Sequence, residues 1–374
     1  MESFNASSSS SSVDDKQAVF ILTVVRAVFV TLVALTGIVG NIINIIVIPR
    51  VPDTAMGAAS KVVLTALSIA DLIAAAMLLN GPLSLFTYEW LSRAGNIYCD
   101  ITGFLTTLAP ATSASFILLI NLDRYIQITR PLTYQVLVTK KRAIVAVVTA
   151  AFYILTFLSF FVGISDESVD PIAYHYGFSL CLVSFSAPAF LLSTIGSFTV
   201  SVWLVAVLLL AIYARIFQIA LRHSKKISAQ MNSTARLRDT NATQGHDAVD
   251  GQDHGIAIVV DVFHQLDADN LNSTAHRKRD RVRRAKRDYD GIQRNIRSLR
   301  IPLVITGCFL VSWLPLTVMF TFASATGATF GNITWWITAV MSASNCSINM
   351  FVYAFGRSEF RKAFRKIFCR TSVK

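Results

Sequence analysis

An otherwise apolar chain carries a few polar residues in places where they are expensive. Asp71 is the one carboxylate inside the neutral run Leu64–Leu79, and an acid stranded there demands partners or a function. Helical spacing supplies candidates. Ser113 lies about three turns from Arg124 along another apolar run, while Asn345 and Asn349 stand i, i+4 on one face, with Tyr353 a turn further on. Hard oxygen donors around one carboxylate suit a small cation such as sodium, or a water network. A protonated carboxyl is the plain structural alternative.

A second set, Asp123-Arg124-Tyr125, closes the membrane-length run from Ile101 to Ile120. A carboxylate beside a guanidinium at a membrane boundary can pair and separate, which is the chemistry of a switch. The alternative is an arginine that snorkels to lipid headgroups. Catalysis has no comparable support, because no His, Cys and acid constellation shows nucleophile or metal-ligand spacing. The chain does not read as an enzyme.

Long apolar helices must hold these residues. The 374 residues are 53% hydrophobic and 15% charged, with a mean hydropathy of +0.54, which excludes an ordinary soluble globule. Apolar runs at about 19–49, 62–88, 101–122, 143–164, 188–221, 301–324 and 333–355 predict seven spans. An odd number puts the termini on opposite sides. Arg50 and Lys61 flank the first connection, Arg130, Lys140, Lys141 and Arg142 the second, and a dense basic run the third; Asp166, Glu167 and Asp170 stand without a base between the fourth and fifth spans. The basic side is cytoplasmic, so the N-terminus is extracellular. The net charge of +12 marks a cytoplasmic membrane face rather than nucleic-acid binding.

The expected organisation is an extracellular tail over 1–18, helices one to five with their loops over 19–223, and a largely disordered cytoplasmic third loop over 224–293. Helices six and seven follow over 294–355, then an amphipathic helix and cytoplasmic tail over 356–374. The first tail holds the run Ser7–Ser12 and lacks a basic start before a short apolar core, so no cleavable signal is expected. The basic run from His276 to Arg287 could serve a nucleic-acid patch, but beside a span it reads better as a helix extension meeting anionic lipid. Pro315 kinks the sixth span next to Trp313. Past Tyr353, Phe360, Phe364, Ile367 and Phe368 line one face and Arg361, Lys362, Arg365 and Lys366 another, which makes an interfacial helix.

Five cysteines sort by topology: Cys99 and Cys181 outside, Cys308 and Cys346 within spans, Cys369 just past the last one. One outer pair in an oxidising compartment predicts a disulfide, with two free thiols as the alternative. Cys369 is a palmitoylation candidate or a structural thiol. Asn5-Ala6-Ser7 and Asn332-Ile333-Thr334 are outer glycosylation sequons, although Asn232, Asn241 and Asn272 match the same pattern in the cytoplasmic loop.

From about residue 19 to 370, apart from the loop middle, the chain resembles a rhodopsin-like, class A G-protein-coupled receptor, with some features similar to amine and melatonin receptors. The motifs occur in order: Gly40-Asn41, Leu67 with Ala70-Asp71, Cys99, Asp123-Arg124-Tyr125, Pro131-Leu132, Cys181, Tyr213, Phe309 with Trp313 and Pro315, Asn349 with Tyr353, and Phe360. The resemblance implies an all-α membrane protein of the plasma membrane, a bundle of seven transmembrane helices with a short amphipathic eighth. It implies an outer pocket for a small extracellular ligand and an inner cleft that opens as the sixth helix swings outward. Arg124, held by Asp123 at rest, would then meet a heterotrimeric G protein, with Tyr213 and Tyr353 moving in beside it. Trp313 would be the toggle at the pocket floor. Asp71, Ser113, Asn345 and Asn349 match the family's allosteric sodium site, with Cys346 at its usual neighbouring serine. Thr106, Thr107, Pro110, Thr317 and Phe320 match pocket-lining positions, for which helix packing is the alternative. Arrestin, a receptor kinase and membrane lipids are further implied partners; nucleic acid is not.

Departures accompany the likeness. Met350 stands where the seventh-helix proline is usual, Val205 where the fifth-helix proline is common, and Ala114 at a bulky core position; the fourth helix has no tryptophan. The stretch Arg294–Arg300 has Asn295 where many relatives place an acid that latches the third-helix arginine. A light receptor is excluded by Ala343, where the family's retinal lysine would be. Transporter repeats and a pore-lining polar ring are both absent from the sequence. The pocket positions carry no charge, so a neutral or weakly polar ligand is expected. The runner-up is an amine receptor with a non-standard acidic anchor, Asp100 or the outer-loop acids, since Thr106 replaces the amine-binding aspartate.

Overall fold

The computed structural model describes residues 7–84, 97–130, 132–163, 172–175, 180–183, 203, 206–215, 217–218, 221, 301–319, 321–323, 325–326, 328 and 330–369. The chain divides into two compact units, Met1–Tyr213 with Arg300–Lys374, and Ala214–Leu299. In the second, residues 214–215, 217–218 and 221 are helical.

In the first unit α1 (Ser7–Val47) ends in a 3-10 turn, Ile48–Arg50, where Pro49 withholds the next helical N–H. Then come α2 (Ala58–Leu78), α3 (Ile97–Thr129), a single turn Tyr134–Leu137 and α4 (Lys140–Gly163). Strands β1 (Ile172–His175) and β2 (Leu180–Val183) precede α5 (Ala206–Arg215, of which residues 206–213 belong to this unit), α6 (Ile301–Ala323), α7 (Asn332–Gly356) and α8 (Ser358–Phe368). The polar tail expected over 1–18 is helical from Ser7. Serine is only a modest helix former, but adding turns to an established apolar helix is far easier than nucleating a new one.

Phe20–Arg50, Ala58–Ser84, Ile97–Thr129, Lys140–Phe160 and Ile301–Ala323 are long and apolar enough to cross a membrane. The 25 residues of α7 reach about 37 Å at 1.5 Å per residue, and the helix keeps its polar Ser342, Asn345, Ser347 and Asn349 buried. Of the expected fifth span, 188–221, the continuous described part is α5. Val205, Phe320, Pro131, Asn5, Asp166, Glu167, Asp170, Asn295 and the loop over 224–293 lie outside the described residues.

α2 packs against α1, α3, α4 and α7, and α1 also against α7 and α8. Lipid is as apolar as leucine, so helices gain by approaching closely through small residues. A Cβ on Gly37 would stand 2.8 Å from Ala75 Cβ and 3.0 Å from Ser347 Oγ; on Gly40 it would stand 2.8 Å from Met350 Cβ. Phe20, Leu32 and Val39 on α1 are exposed, as lipid contact requires. At the far end of α7, Arg361 Nη1 donates to the carbonyls of Ala354 and Phe355 at 3.0 Å each, closing its last turn. Phe360 and Ala363 turn inward on α8, and Cys369 beyond it is an exposed free thiol.

The expected disulfide is formed. Cys181 on β2 joins Cys99 on α3 with Cα atoms 5.4 Å apart, and β1 pairs antiparallel with β2 from Ile172↔Val183 to His175↔Leu180. Gly103 makes this seat possible, because a Cβ there would lie 2.4 Å from Ile172 Cγ2 and 3.2 Å from the Cys181 carbonyl carbon. Tyr174 adds a hydroxyl bond to Ser84 Oγ at 3.0 Å.

Candidate functional site

Asp71 lies inside α2, 1% exposed, and takes a bond from each of two other helices. Ser113 Oγ on α3 donates to Oδ1 at 2.7 Å and Asn349 Nδ2 on α7 donates to Oδ2 at 2.6 Å. Three helices thus converge on one carboxylate. Asn345 is buried on the same helix as Asn349, and among the described residues the direct bonds to Asp71 come from Ser113 and Asn349. Asn41 on α1 donates Nδ2 to the carbonyls of Gly37 and Cys346, both at 2.8 Å. Its Oδ1 is buried without a partner among the described residues. The Cys346 thiol turns to the Ala343 carbonyl of its own helix at 3.0 Å.

The donor chemistry fits a small hard cation. A carboxylate offers about four lone-pair directions, two of which are taken by Ser113 and Asn349. The Ser113 hydroxyl and the unpartnered Asn41 oxygen are neutral oxygen donors of the kind such ions accept. No group of three or more His, Cys, Asp or Glu among the described residues could hold a metal ion, so this is not a transition-metal donor set.

At the Thr129 end of α3, Asp123 and Arg124 are each 7% exposed. Ser60 Oγ on α2 donates to Asp123 Oδ2 at 2.7 Å, and the Tyr134 hydroxyl donates to Oδ1 at 2.6 Å. Arg124 Nη2 stands 3.5 Å from Asp123 Oδ2 and donates to Ser60 Oγ at 3.0 Å, while Nη1 donates to Gln127 Oε1 at 2.7 Å. Ser60 is therefore the pivot between acid and base. Burial first, then the negative charge of Asp123, push the Tyr134 phenol up to about 12, so it remains a proton donor throughout the physiological range. Tyr125, third in the motif, is half-buried and takes no part in this network.

Tyr213 and Tyr353, expected to move in beside Arg124 once it is released, have other neighbours in this structure. The Tyr213 hydroxyl on α5 donates to Asn121 Oδ1 at 2.7 Å. Tyr353 is fully buried, with its ring centroid 6.2 Å from that of Phe360.

Toward the Cys99 end, the wall positions are uncharged. Thr106, Thr107 and Thr317 donate their hydroxyls to the carbonyls of Thr102, Gly103 and Trp313 at 2.6, 3.0 and 2.8 Å. Each hydroxyl proton is thus spent within its own helix, and the oxygens remain as acceptors. Pro110, inside the continuous α3, offers no N–H to the Thr106 carbonyl. Trp313 is buried, its ring 6.4 Å from that of Phe309, and Pro315 is half-buried within α6.

Sequence reasoning missed Ser60, Gln127, Tyr134, Asn121 and Thr306. Asn121 carried a signal, as an amide ending an apolar run, but it read as part of the boundary. Thr306 carried none, because a threonine is unremarked in a membrane helix. Arg26, the one base in the run 19–49, was equally visible; its guanidinium lies 5.4 Å from the centroid of the Trp336 ring, a cation–π contact between α1 and α7.

Known proteins share this architecture. The family described as 7 transmembrane receptor (rhodopsin family) matches residues 40–353. The alpha-1A adrenergic receptor of Oryzias latipes is 25% identical over 319 residues, covering 80% of this chain and 58% of that receptor. The 5-hydroxytryptamine receptor 1A of Xenopus laevis is 24% identical over 340 residues, covering 74% of this chain and 76% of that receptor. The chain spans 58–59% of the length of the adrenergic relatives it matches. The crystal structure of squid rhodopsin superposes with a TM-score of 0.66 at 15% identity, covering 93% of this chain and 86% of the squid chain, a likeness of fold alone.

Proposed function

We propose, from the premise that the chain belongs to the rhodopsin family of seven-transmembrane receptors, that it binds a small extracellular ligand and activates a heterotrimeric G protein. The observation that carries this reading is Arg124: a guanidinium buried at one end of α3 and held, among the described residues, by one carboxylate, Asp123, directly and through Ser60. Such a charge is costly to keep buried unless partners hold it, and it is positioned to change partners when the helices around it move. Ligand binding against α3 and α6 biases α6, and the Arg124 end of the bundle responds as a two-state element. Arrestin and a receptor kinase are further partners of the activated form. The receptor lies in the plasma membrane with its N-terminus outside, glycosylated at Asn5 and Asn332, palmitoylated at Cys369, and with α8 on the lipid surface.

The ligand is neutral or weakly polar. Thr106 and Thr107 present acceptor oxygens, with Thr317 itself buried, and Pro110 leaves the Thr106 carbonyl as another, so the wall favours N–H and O–H donors. An unpaired ammonium buried there would be expensive. The likeness to adrenergic and serotonin receptors favours a second reading, an amine receptor that uses Asp100 or the acids Asp166, Glu167 and Asp170. A ligand library screened on the full chain in nanodiscs, with nucleotide exchange on representatives of each G-protein class, tests both. Exchange driven by neutral ligands is expected. Potent activation by a simple monoamine, lost on Asp100→Asn, would establish the second reading, and no exchange with any G protein would defeat coupling itself.

Asp71, Ser113, Asn345 and Asn349 are the residues that would hold an allosteric sodium ion, which when bound supplies a counter-charge to the carboxylate. Replacing potassium by sodium at constant ionic strength should raise the melting temperature of the parent by mass action and lower agonist affinity. Asp71→Asn should abolish both effects. A sodium shift that persists in the variant, or is missing from the parent, removes the assignment.

A further inference from the structure

Asn121 and Thr306 are buried polar residues on facing helices, 1% and 3% exposed, and they bond to each other, to one tyrosine and to one backbone carbonyl. Asn121 Nδ2 donates to the Ile117 carbonyl of its own helix at 2.7 Å and to Thr306 Oγ1 of α6 at 3.0 Å. Asn121 Oδ1 accepts the Tyr213 hydroxyl of α5 at 2.7 Å and lies 3.2 Å from Thr306 Oγ1. Both amide protons and both carbonyl lone pairs are accounted for, by three helices.

We propose that this triad is an uncharged clasp in which Asn121 is the positioning residue, holding α6 and the Tyr213 hydroxyl against α3 in the resting receptor. The proposal rests on the G-protein reading given above. Asn121 lies about one turn from Arg124 on α3, so the clasp closes the same end of the bundle that must open to expose that guanidinium. α6 cannot leave α3 there without breaking the bonds between Asn121 and Thr306, which leaves one amide proton and one carbonyl lone pair of Asn121 unpaired. In a dry interior each broken bond must be remade elsewhere, which makes the closed and open arrangements two discrete states rather than a continuum. Single interhelical hydrogen bonds in membranes are modest, so loss of the clasp should raise the open fraction on the order of three- to tenfold.

The test uses the full chain in nanodiscs without ligand, spin-labelled at Val136→Cys and Leu303→Cys, two exposed positions, in a Cys308→Ala, Cys369→Ser background. Pulsed electron resonance reads the distance between the Tyr134–Leu137 turn and α6, and nucleotide exchange is measured in parallel on G proteins of every class. Thr306→Val keeps the side-chain shape and removes the hydroxyl; Asn121→Leu removes the amide; Thr306→Ser restores the hydroxyl. A longer-distance population that grows three- to tenfold in Thr306→Val and in Asn121→Leu is expected, no larger when the two are combined, and parent-like in Thr306→Ser. Unchanged distances in both folded single variants overturn the clasp, even where the parent activates a G protein. A grown open population with no exchange on any G protein upholds the clasp and defeats the coupling on which its purpose rests.

Discussion

Serine at Cys99 or at Cys181 lowers the stability of the receptor by roughly 2–5 kcal/mol and strips most of it from the cell surface. The bond closes a loop of 82 residues in sequence, long enough that the freed chain gains substantial disorder when it is cut. It also anchors a packed contact. Cys99, Ile172 and Cys181 are buried together with Tyr98, Phe104, Leu158 and Tyr174 against them, and Ile172 of β1 rests on Gly103 at a distance no side chain would allow. Without the covalent tie, the hairpin has the Tyr174 bond to Ser84 and this small cluster to hold it. Melting temperature in a fixed detergent and surface immunostaining should fall together in both single variants, and the double variant should be no worse than either. Surface expression unchanged in both singles would count against the bridge as a stabilising element.

The second large effect is ligand-free signalling. Asn295 occupies, by its offset from Pro315, the position at which many relatives carry an acid facing the third-helix arginine, and the neighbouring Arg297 is basic. Arg124 is held by Asp123, Ser60 and Gln127, so among the described residues its one anionic partner comes from its own helix and does nothing to restrain α6. What restrains α6 among the described residues is neutral, the Asn121 to Thr306 bond and apolar packing. An opposite-charge contact at a partly buried site is worth about 1–3 kcal/mol, so its absence raises the active population by roughly tenfold or more. Basal G-protein activation, normalised to surface expression, should be measurable in the parent and should fall in Asn295→Glu. A silent parent, or a variant whose basal signal does not fall, defeats this expectation.

The Asp71, Ser113 and Asn349 junction was legible because an acid has few ways to exist inside a span, and helical spacing narrows its partners to one face. The choice between Asn345 and Asn349 was not. The two share a face, yet they differ by about 6 Å along the axis and roughly 40° around it, and one carboxylate oxygen reaches only one of them. The Cys99–Cys181 bridge followed from counting thiols on one side of the membrane. Ser60 and Thr306 escaped notice for a common reason: each acts on a residue far away in sequence, and which face of a helix meets its neighbour depends on packing that no local pattern encodes. The helical start at Ser7 was obscured by composition, since a serine run reads as linker until an adjoining helix extends into it.

Met350 has a mechanical consequence. It stands where relatives of this family are expected to have a proline, and α7 runs unbroken from Asn332 to Gly356, so its N–H stays in the backbone ladder. Its side chain lies along Gly40, with Sδ 3.0 Å from where a Cβ would be, and one turn up the Cys346 carbonyl takes the Asn41 amide. A proline-bent helix absorbs displacement locally, as flexure at the bend. An unbroken one stitched to its neighbour at two successive turns has no such bend to absorb it, so displacement at the Trp336 end of α7 is expected to carry to Tyr353 and the root of α8.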